Sequence, residues 1–219
     1  MLLYDTQRSG NAWKVRLMAG LLGVPLKRHT LSIDRGDLRT EAFRLIAPLR
    51  QVPVLVLGDG SALPESMAIL FYLAQGSAWW PKGALEQAQV LSWLSFEQER
   101  HMKPLAQLRL HLGLHRDRNP ADADMLHFAS EGRAALDVVE SQLVRSGPSG
   151  WVATSMHPSI ADVALYPYTR MASMGGIDLS PFPGIDAWLA RFEALPGYQP
   201  LFPGRPDLNF STAELPPAS

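Results

Sequence analysis

Three short polar segments in the first third of the chain carry the residue types best suited to chemistry. Ser9-Gly10-Asn11 precedes a helical pattern, Gln51-Val52-Pro53 precedes a strand pattern, and Glu65-Ser66 precedes a second helical pattern. Backbone N–H groups lack partners at such points, and helix starts carry partial positive charge. We therefore expect the three segments to form one site for a polar or anionic ligand, held without a metal.

The apolar pattern around these segments predicts a mixed α/β unit. In chain order it indicates strand, helix, strand and helix, then two strands on either side of Gly58-Asp59-Gly60, and then a third helix. Helical spacing alone continues after a stretch rich in Gly, Trp and Pro, which predicts an all-α second region. Within that region we expect a bend near Pro104 and a capping box at Ser159-Ile160-Ala161-Asp162.

These patterns define the predicted domain organisation. We expect a first domain over residues 1–76, a linker over 77–86, an all-helical domain over 87–205 and an extended tail over 206–219.

Composition excludes several classes of function. The 219 residues include 20 Lys and Arg against 21 Asp and Glu, so no charge excess favours nucleic acid or a membrane surface. Cysteine is absent, which removes disulfides, thiolate metal sites and a cysteine nucleophile, so any thiol must come from the substrate. Neither a signal peptide nor a membrane span is predicted, and we expect a cytoplasmic protein. His111 and His115 have metal-ligand spacing, but no carboxylate completes a set, so no metal is expected.

The order and spacing of the motifs resemble the cytosolic glutathione transferases, specifically bacterial members with a serine-type first loop. The resemblance covers nearly the whole chain. It implies an α+β fold, with a thioredoxin-like βαβ-ββα domain followed by an all-α helical bundle, and glutathione as cosubstrate. It also implies a homodimer that acts in detoxification. The matching motifs are Ser9-Gly10-Asn11 with Lys14-Val15-Arg16, Gln51-Val52-Pro53, Glu65 to Leu70, and Ser159 to Val163.

The resemblance also implies roles for the binding residues. Pro53 would follow a cis peptide bond, so that the Val52 backbone, next to Gln51, pairs with the peptide part of glutathione. Without the family, a trans proline at an edge strand is the simpler interpretation. Glu65 and Ser66 would hold the γ-glutamyl end at a helix start, and the alternative is a helix cap with no ligand.

Ser9 is the residue expected to activate the thiol, with Asn11 as helper or rival. A thiol with a pKa near ~8.5 needs ~2.7 kcal/mol of preferential interaction to lower that pKa by about two units. One charge-assisted hydrogen bond contributes ~1.5–3 kcal/mol and a helix start ~0.3–1 kcal/mol, so the two together suffice. Both residues could instead only cap the helix. Tyr4 lies within the first strand and is expected to pack.

The sequence leaves other parts of the ligand sites unassigned. Arg35, Arg39 or Arg50 could pair with the glycyl carboxylate, although each is also a plausible surface arginine. The electrophile pocket is expected near Met102, Leu105 and Tyr166. Conjugation, peroxide reduction and isomerisation remain possible reactions.

Two other classes of protein compete with a transferase. One is a non-catalytic binding or regulatory protein of the same fold, and the other is an enzyme for a different thiol. Affinity for alternative thiols, and the effects of substitutions at Ser9 and Glu65, would separate these classes.

Overall fold

The computed structural model of the protein describes residues 1–202, which form two compact units. The first comprises Met1–Gln75 together with residues 196–202, and the second comprises Gly76–Leu195. A four-stranded sheet lies in the first unit, and the regular structure of the second is helical. The predicted α+β fold class is therefore confirmed. The tail predicted over 206–219 lies outside the described residues.

The first unit has the predicted order of elements. Its strands and helices are β1 (Leu2–Asp5), α1 (Gly10–Leu21), β2 (Lys27–Thr30), α2 (Glu41–Ile46), β3 (Val54–Val56), β4 (Ala62–Pro64) and α3 (Ser66–Ala74). The predicted hairpin joins β3 to β4, and Gly60 within it has a φ of 88°, a conformation that glycine adopts without steric cost.

The sheet has the strand order β2-β1-β3-β4, with β1 parallel to β2 and antiparallel to β3. Neighbouring residues in β3 face opposite sides of the sheet. Leu55 belongs to a core cluster that includes residues of α1 and α3, whereas Val54 packs with Phe43 of α2. Tyr4 packs its ring near those of His29 and Phe43, so its predicted packing role is confirmed. Burial on both faces fixes the ends of β1 and β3, beside which the polar segments begin.

The second unit consists of helices. They are α4 (Ala84–Phe96), a π-helical segment (Glu97–His101), α5 (Met102–Leu108), a second π-helical segment (Arg109–His115), α6 (Ala123–Ser146), α7 (Ile160–Arg170), a 3₁₀ turn (Ala172–Gly175) and α8 (Pro183–Glu193). None of the helices within residues 1–202 is both long and apolar enough to span a membrane.

The first long helix departs from the single bend expected at Pro104. Two π-helical segments flank α5, which contains this proline. The first segment begins at Glu97 and ends at His101, and both side chains are fully buried. His101 Nε2 lies 2.9 Å from Thr169 Oγ1, so the wider turn packs polar side chains against α7.

The predicted capping box at the start of α7 is confirmed. Ser159 Oγ accepts a hydrogen bond from the Ala161 N–H, and Asp162 Oδ2 accepts one from the Ser159 N–H at 2.9 Å. Asp162 Oδ1 also accepts hydrogen bonds from the Val152 N–H at 3.0 Å and the Trp188 Nε1–H at 3.1 Å. Burial raises the pKa of the Asp162 carboxyl, and these donors oppose that shift. One carboxylate therefore joins three parts of the helical unit.

Candidate functional site

A cavity of about 180 Å³ in the first unit brings most of the predicted site residues together. We call it the Asn11 cavity. Asn11, Gln51, Val52, Pro53 and Glu65 all contribute to its wall. The complete lining is Asn11, Ala47, Pro48, Leu49, Gln51, Val52, Pro53, Val54, Pro64 and Glu65. Residues from all three polar segments therefore meet in one place.

The Val52–Pro53 peptide bond is cis, as expected. Val52 also lies outside the β-ladder, because β3 begins at Val54, which pairs with Tyr4 and Pro64. The Val52 backbone therefore stands at the open end of the strand, where an extended ligand could add main-chain hydrogen bonds.

Glu65 occupies the first position before α3 in an unusual backbone conformation. Its φ is 69° and its ψ is 118°, and its side chain makes no capping hydrogen bond to the helix. A non-glycine residue in this region costs on the order of 1–3 kcal/mol, and such residues cluster at ligand sites. Ser66 follows at only 4% exposure and is not part of the cavity lining. Side-chain capping therefore does not explain Glu65, which lines the cavity.

The two candidate thiol donors in the first loop have different environments. Ser9 Oγ accepts a hydrogen bond from the Ala12 N–H at 3.1 Å, which makes Ser9 the N-cap of α1, and Ser9 does not line the cavity. Asn11 does line it, and its Oδ1 is buried without a hydrogen-bond partner among residues 1–202. An unpaired buried acceptor costs about 1–3 kcal/mol.

A buried ion cluster fixes the loop that carries these donors. Asp5 is fully buried, and its Oδ2 accepts hydrogen bonds from Arg16 at 2.7 Å and from Arg28 Nε at 2.9 Å. Arg16 also donates to the Gln7 carbonyl at 3.3 Å. Burial lowers the pKa of the Arg16 guanidinium, and the nearby Asp5 carboxylate opposes that shift. The Asp5–Arg16 ion pair and the hydrogen bond to Gln7 thus connect the loop after β1 to α1.

The candidate arginines for an anionic ligand are not equivalent. Arg35 forms an exposed ion pair with Asp37 at 3.3 Å. Arg50 has a φ of 54° and lies between Leu49 and Gln51, two residues of the cavity wall. The tight turn that presents it was missing from the sequence prediction, because nothing in its residue type indicates a left-handed backbone.

Other candidates from the sequence take part in core packing or in side-chain hydrogen bonds. Leu105 and Tyr166 are 1% and 0% exposed, so both side chains lie in the core of the helical unit. The Tyr166 hydroxyl donates to Glu193 at 2.8 Å. His111 Nδ1 lies 2.8 Å from Asp117 Oδ1, and residues 1–202 contain no cluster of three or more His, Cys, Asp or Glu suited to a metal.

The geometry of the cavity suits a ligand with charged ends and a peptide-like middle. Its lining includes the acidic residue Glu65, Val52 just before the first ladder pair of β3, and the amide residue Asn11. An amide both donates and accepts hydrogen bonds, so Asn11 can contact a thiol in either protonation state.

Known proteins resemble this chain in both sequence and fold. A sequence model for the family described as glutathione S-transferase, N-terminal domain, matches residues 8–75. A solved glutathione S-transferase from Pseudomonas fluorescens Pf-5 is 40% identical, with a TM-score of 0.86, over 91% of this chain and 98% of that one. The chain belongs to the glutathione S-transferase family. Its first unit is accordingly the thioredoxin-like domain of that fold.

Two more distant proteins are also similar to this chain. Glutathione S-transferase theta-3 of Mus musculus is 28% identical over 216 residues, which is 93% of this chain and 86% of that protein. Ure2p, solved in complex with glutathione, is 23% identical with a TM-score of 0.81, over 90% of each chain. The latter similarity shows a shared fold.

Proposed function

We propose that this glutathione S-transferase family member binds glutathione in the Asn11 cavity and activates its thiol for attack on a small hydrophobic electrophile. The observation that carries the proposal is the convergence of Asn11, Val52 and Glu65 on one cavity. Ure2p and this chain share a fold, and Ure2p binds glutathione. The proposed role is detoxification in the cytoplasm.

Glutathione supplies groups that match each part of the cavity. Its α-amino group would pair with the Glu65 carboxylate, while its α-carboxylate would meet the unpaired N–H groups at the start of α3, beside Ser66. Its cysteinyl peptide group would pair with the Val52 backbone, flanked by Gln51 and cis-Pro53. Arg50 is the best-placed partner for the glycyl carboxylate, because residues on either side of it line the cavity.

Asn11 is the proposed thiolate donor, with Ser9 holding the start of α1. The Ser9 Oγ already accepts from the Ala12 N–H and Ser9 does not line the cavity, whereas Asn11 does. A charge-assisted hydrogen bond from Asn11, together with the positive end of α1, contributes roughly 2–4 kcal/mol to the thiolate. The Ser9 hydroxyl would supply its proton as a second donor. Catalysis then consists of positioning and thiolate stabilisation, which lets the sulfur attack the electrophile.

A second candidate function is binding or regulation without catalysis. Ure2p favours it, because the same fold occurs in a chain described as the nitrogen regulation fragment of a yeast prion protein. Both candidates need the glutathione cavity, so binding alone does not separate them. Glutathione-dependent turnover of a chromogenic electrophile does.

The experiment that tests the proposed function is calorimetric titration of glutathione, followed by the turnover assay. We expect binding between micromolar and low millimolar concentration and measurable turnover. Binding without turnover towards a panel of electrophiles and peroxides would favour the regulatory candidate. No heat with glutathione, but heat with another thiol, would contradict glutathione as the cosubstrate.

Glu65→Gln is expected to raise KM for glutathione by about 10- to 100-fold and leave kcat within about twofold. The substitution keeps the side-chain size but removes the charge that pairs with the glutathione amino group, a loss of about 1.5–3 kcal/mol. Steady-state kinetics measure the change. Asp59→Asn, at the exposed hairpin tip of the same unit, is the matched control and should leave both constants unchanged. An equal KM in both variants would contradict the role given to Glu65.

The proposed homodimer would form through a groove on the helical unit. The groove has an apolar floor that includes Phe96, Ala135 and Val138. Its rim carries Glu99, Arg100, Lys103 and Glu131. Mixed charge around an apolar centre suits self-complementary pairing of two identical surfaces.

Val138→Arg is expected to convert the dimer to a monomer, because it adds a charge to the apolar floor of the groove. Size-exclusion chromatography with light scattering measures the mass. Val144→Arg is the control, since Val144 is 65% exposed on the same helix but does not line the groove. A Val138→Arg protein that keeps twice the chain mass would exclude this groove as the interface.

A further inference from the structure

The segment over residues 196–202, which we call the strap, folds back against α1. The Trp13 Nε1–H donates a hydrogen bond to the Gln199 carbonyl at 2.8 Å, and the Trp13 side chain is only 1% exposed. Leu201 and Phe202 are also buried. The strap therefore belongs to the core of the first unit although it follows the last helix in sequence.

A second contact joins the strap to the other end of α1. A β-carbon at Gly20 would overlap the Gly197 carbonyl oxygen, and one at Gly197 would overlap the Gly20 carbonyl oxygen. Gly197 also has a φ of 86°, which side chains rarely tolerate. The two backbones thus approach as closely as glycine permits. Contacts at Trp13 and Gly20 hold the helix near its first and last turns.

We propose that the strap positions α1 for thiol activation and that Trp13 is the positioning residue through which it acts. The inference rests on the proposed function, because it concerns the geometry of the Asn11 donor. Asn11 and Trp13 lie in the same helical turn, so the hydrogen bond to Gln199 also constrains where the Asn11 amide lies. Rate depends steeply on such geometry, and a shift of about 1 Å can reduce it by about 100-fold.

The proposed role of the strap leads to a specific kinetic prediction. Glu65 and Val52, which anchor the rest of glutathione in the proposal, belong to other elements and do not depend on the strap. Loosening it should therefore weaken thiolate stabilisation more than glutathione binding. The expected result is a lower kcat and a higher apparent thiol pKa, with KM for glutathione nearly unchanged.

Two substitutions displace the strap in different ways. Trp13→Phe removes the N–H donor and keeps an aromatic ring, and Gly197→Ala pushes the strap away from Gly20 without altering α1. For each we expect kcat to fall by about 5- to 20-fold, with a rise in the apparent pKa of the bound thiol in the pH profile of kcat at saturating glutathione.

A further control separates a loss of stability from a loss of thiol activation. Leu26→Ala removes a partly buried side chain that packs on the core of the same unit and does not belong to the strap. It should lower Tm and leave the pH profile in place. The inference about the strap is overturned if Trp13→Phe and Gly197→Ala keep the wild-type pH profile. That result would leave the proposed function unaffected. Absence of glutathione-dependent turnover in the wild type would overturn both.

Discussion

Asn11→Ala is expected to lower kcat/KM for glutathione-dependent turnover by about 100-fold. The substitution removes the amide that faces the cavity and leaves the thiolate without its nearest proposed donor, and loss of one such donor typically costs 10²–10³-fold in rate. The side chain is partly exposed and its Oδ1 has no partner among residues 1–202, so the fold should tolerate its removal. Steady-state kinetics with a chromogenic electrophile measure the effect.

Two further variants make this test specific. Ser9→Ala removes the α1 cap, so we expect a loss of about 1 kcal/mol of stability and a decrease in rate of less than about tenfold. Asn11→Asp keeps the size of the side chain but places a negative charge near the thiolate, which should raise the thiol pKa. A greater loss of rate in Ser9→Ala than in Asn11→Ala, with both proteins folded, would make the Ser9 hydroxyl the main donor.

Asp162→Ala is expected to lower the free energy of unfolding by about 4 kcal/mol. The substitution leaves the Ser159, Val152 and Trp188 N–H groups without their carboxylate acceptor, and each unpaired buried donor costs about 1–3 kcal/mol. A domain of this size loses about 2–4 °C in Tm per kcal/mol, so Tm should fall by about 8–16 °C. Thermal and urea unfolding measure both quantities.

The control for Asp162 is an aspartate that lacks buried partners. Asp137 is exposed on α6, so Asp137→Ala should change stability by less than about 0.5 kcal/mol. Equal stability of the two variants would show that the Asp162 hydrogen bonds make no net contribution to folding.

Much of the fold was predictable because local patterns and tertiary packing agree. The apolar spacing in α1 and α3 matches the core cluster that includes Val15 and Ile69. The capping box at Ser159 follows from side-chain chemistry within four residues. The cis bond before Pro53 came from the family resemblance, since proline alone favours trans.

Other features depend on contacts that local sequence does not encode. The left-handed backbones of Arg50 and Glu65 occur in residue types that rarely adopt them. The π-helical segment from Glu97 to His101 needs an extra residue within a turn, which a regular helical period does not reveal. The strap contact between Trp13 and Gln199 joins residues 186 positions apart.

The sequence predicted that the three polar segments would converge, but not which residue of the first loop would line the cavity. The spacing indicated that Asn11, Val52 and Glu65 would meet, and they line one cavity. Which of Ser9 and Asn11 faces that cavity depends on how α1 begins, since one residue must cap the helix. The folded conformation of the loop therefore decides which of the two residues lines the cavity.

The most direct test of thiol activation is the pKa of the glutathione thiol when bound to the protein. It can be measured from the ultraviolet absorbance of the thiolate as a function of pH. We expect a value near ~6.5 for the wild type, about two units below that of a free thiol, and a value about one to two units higher than wild type with Asn11→Ala, which loses one charge-assisted hydrogen bond. A bound thiol that keeps the pKa of free glutathione in the wild type would contradict the account.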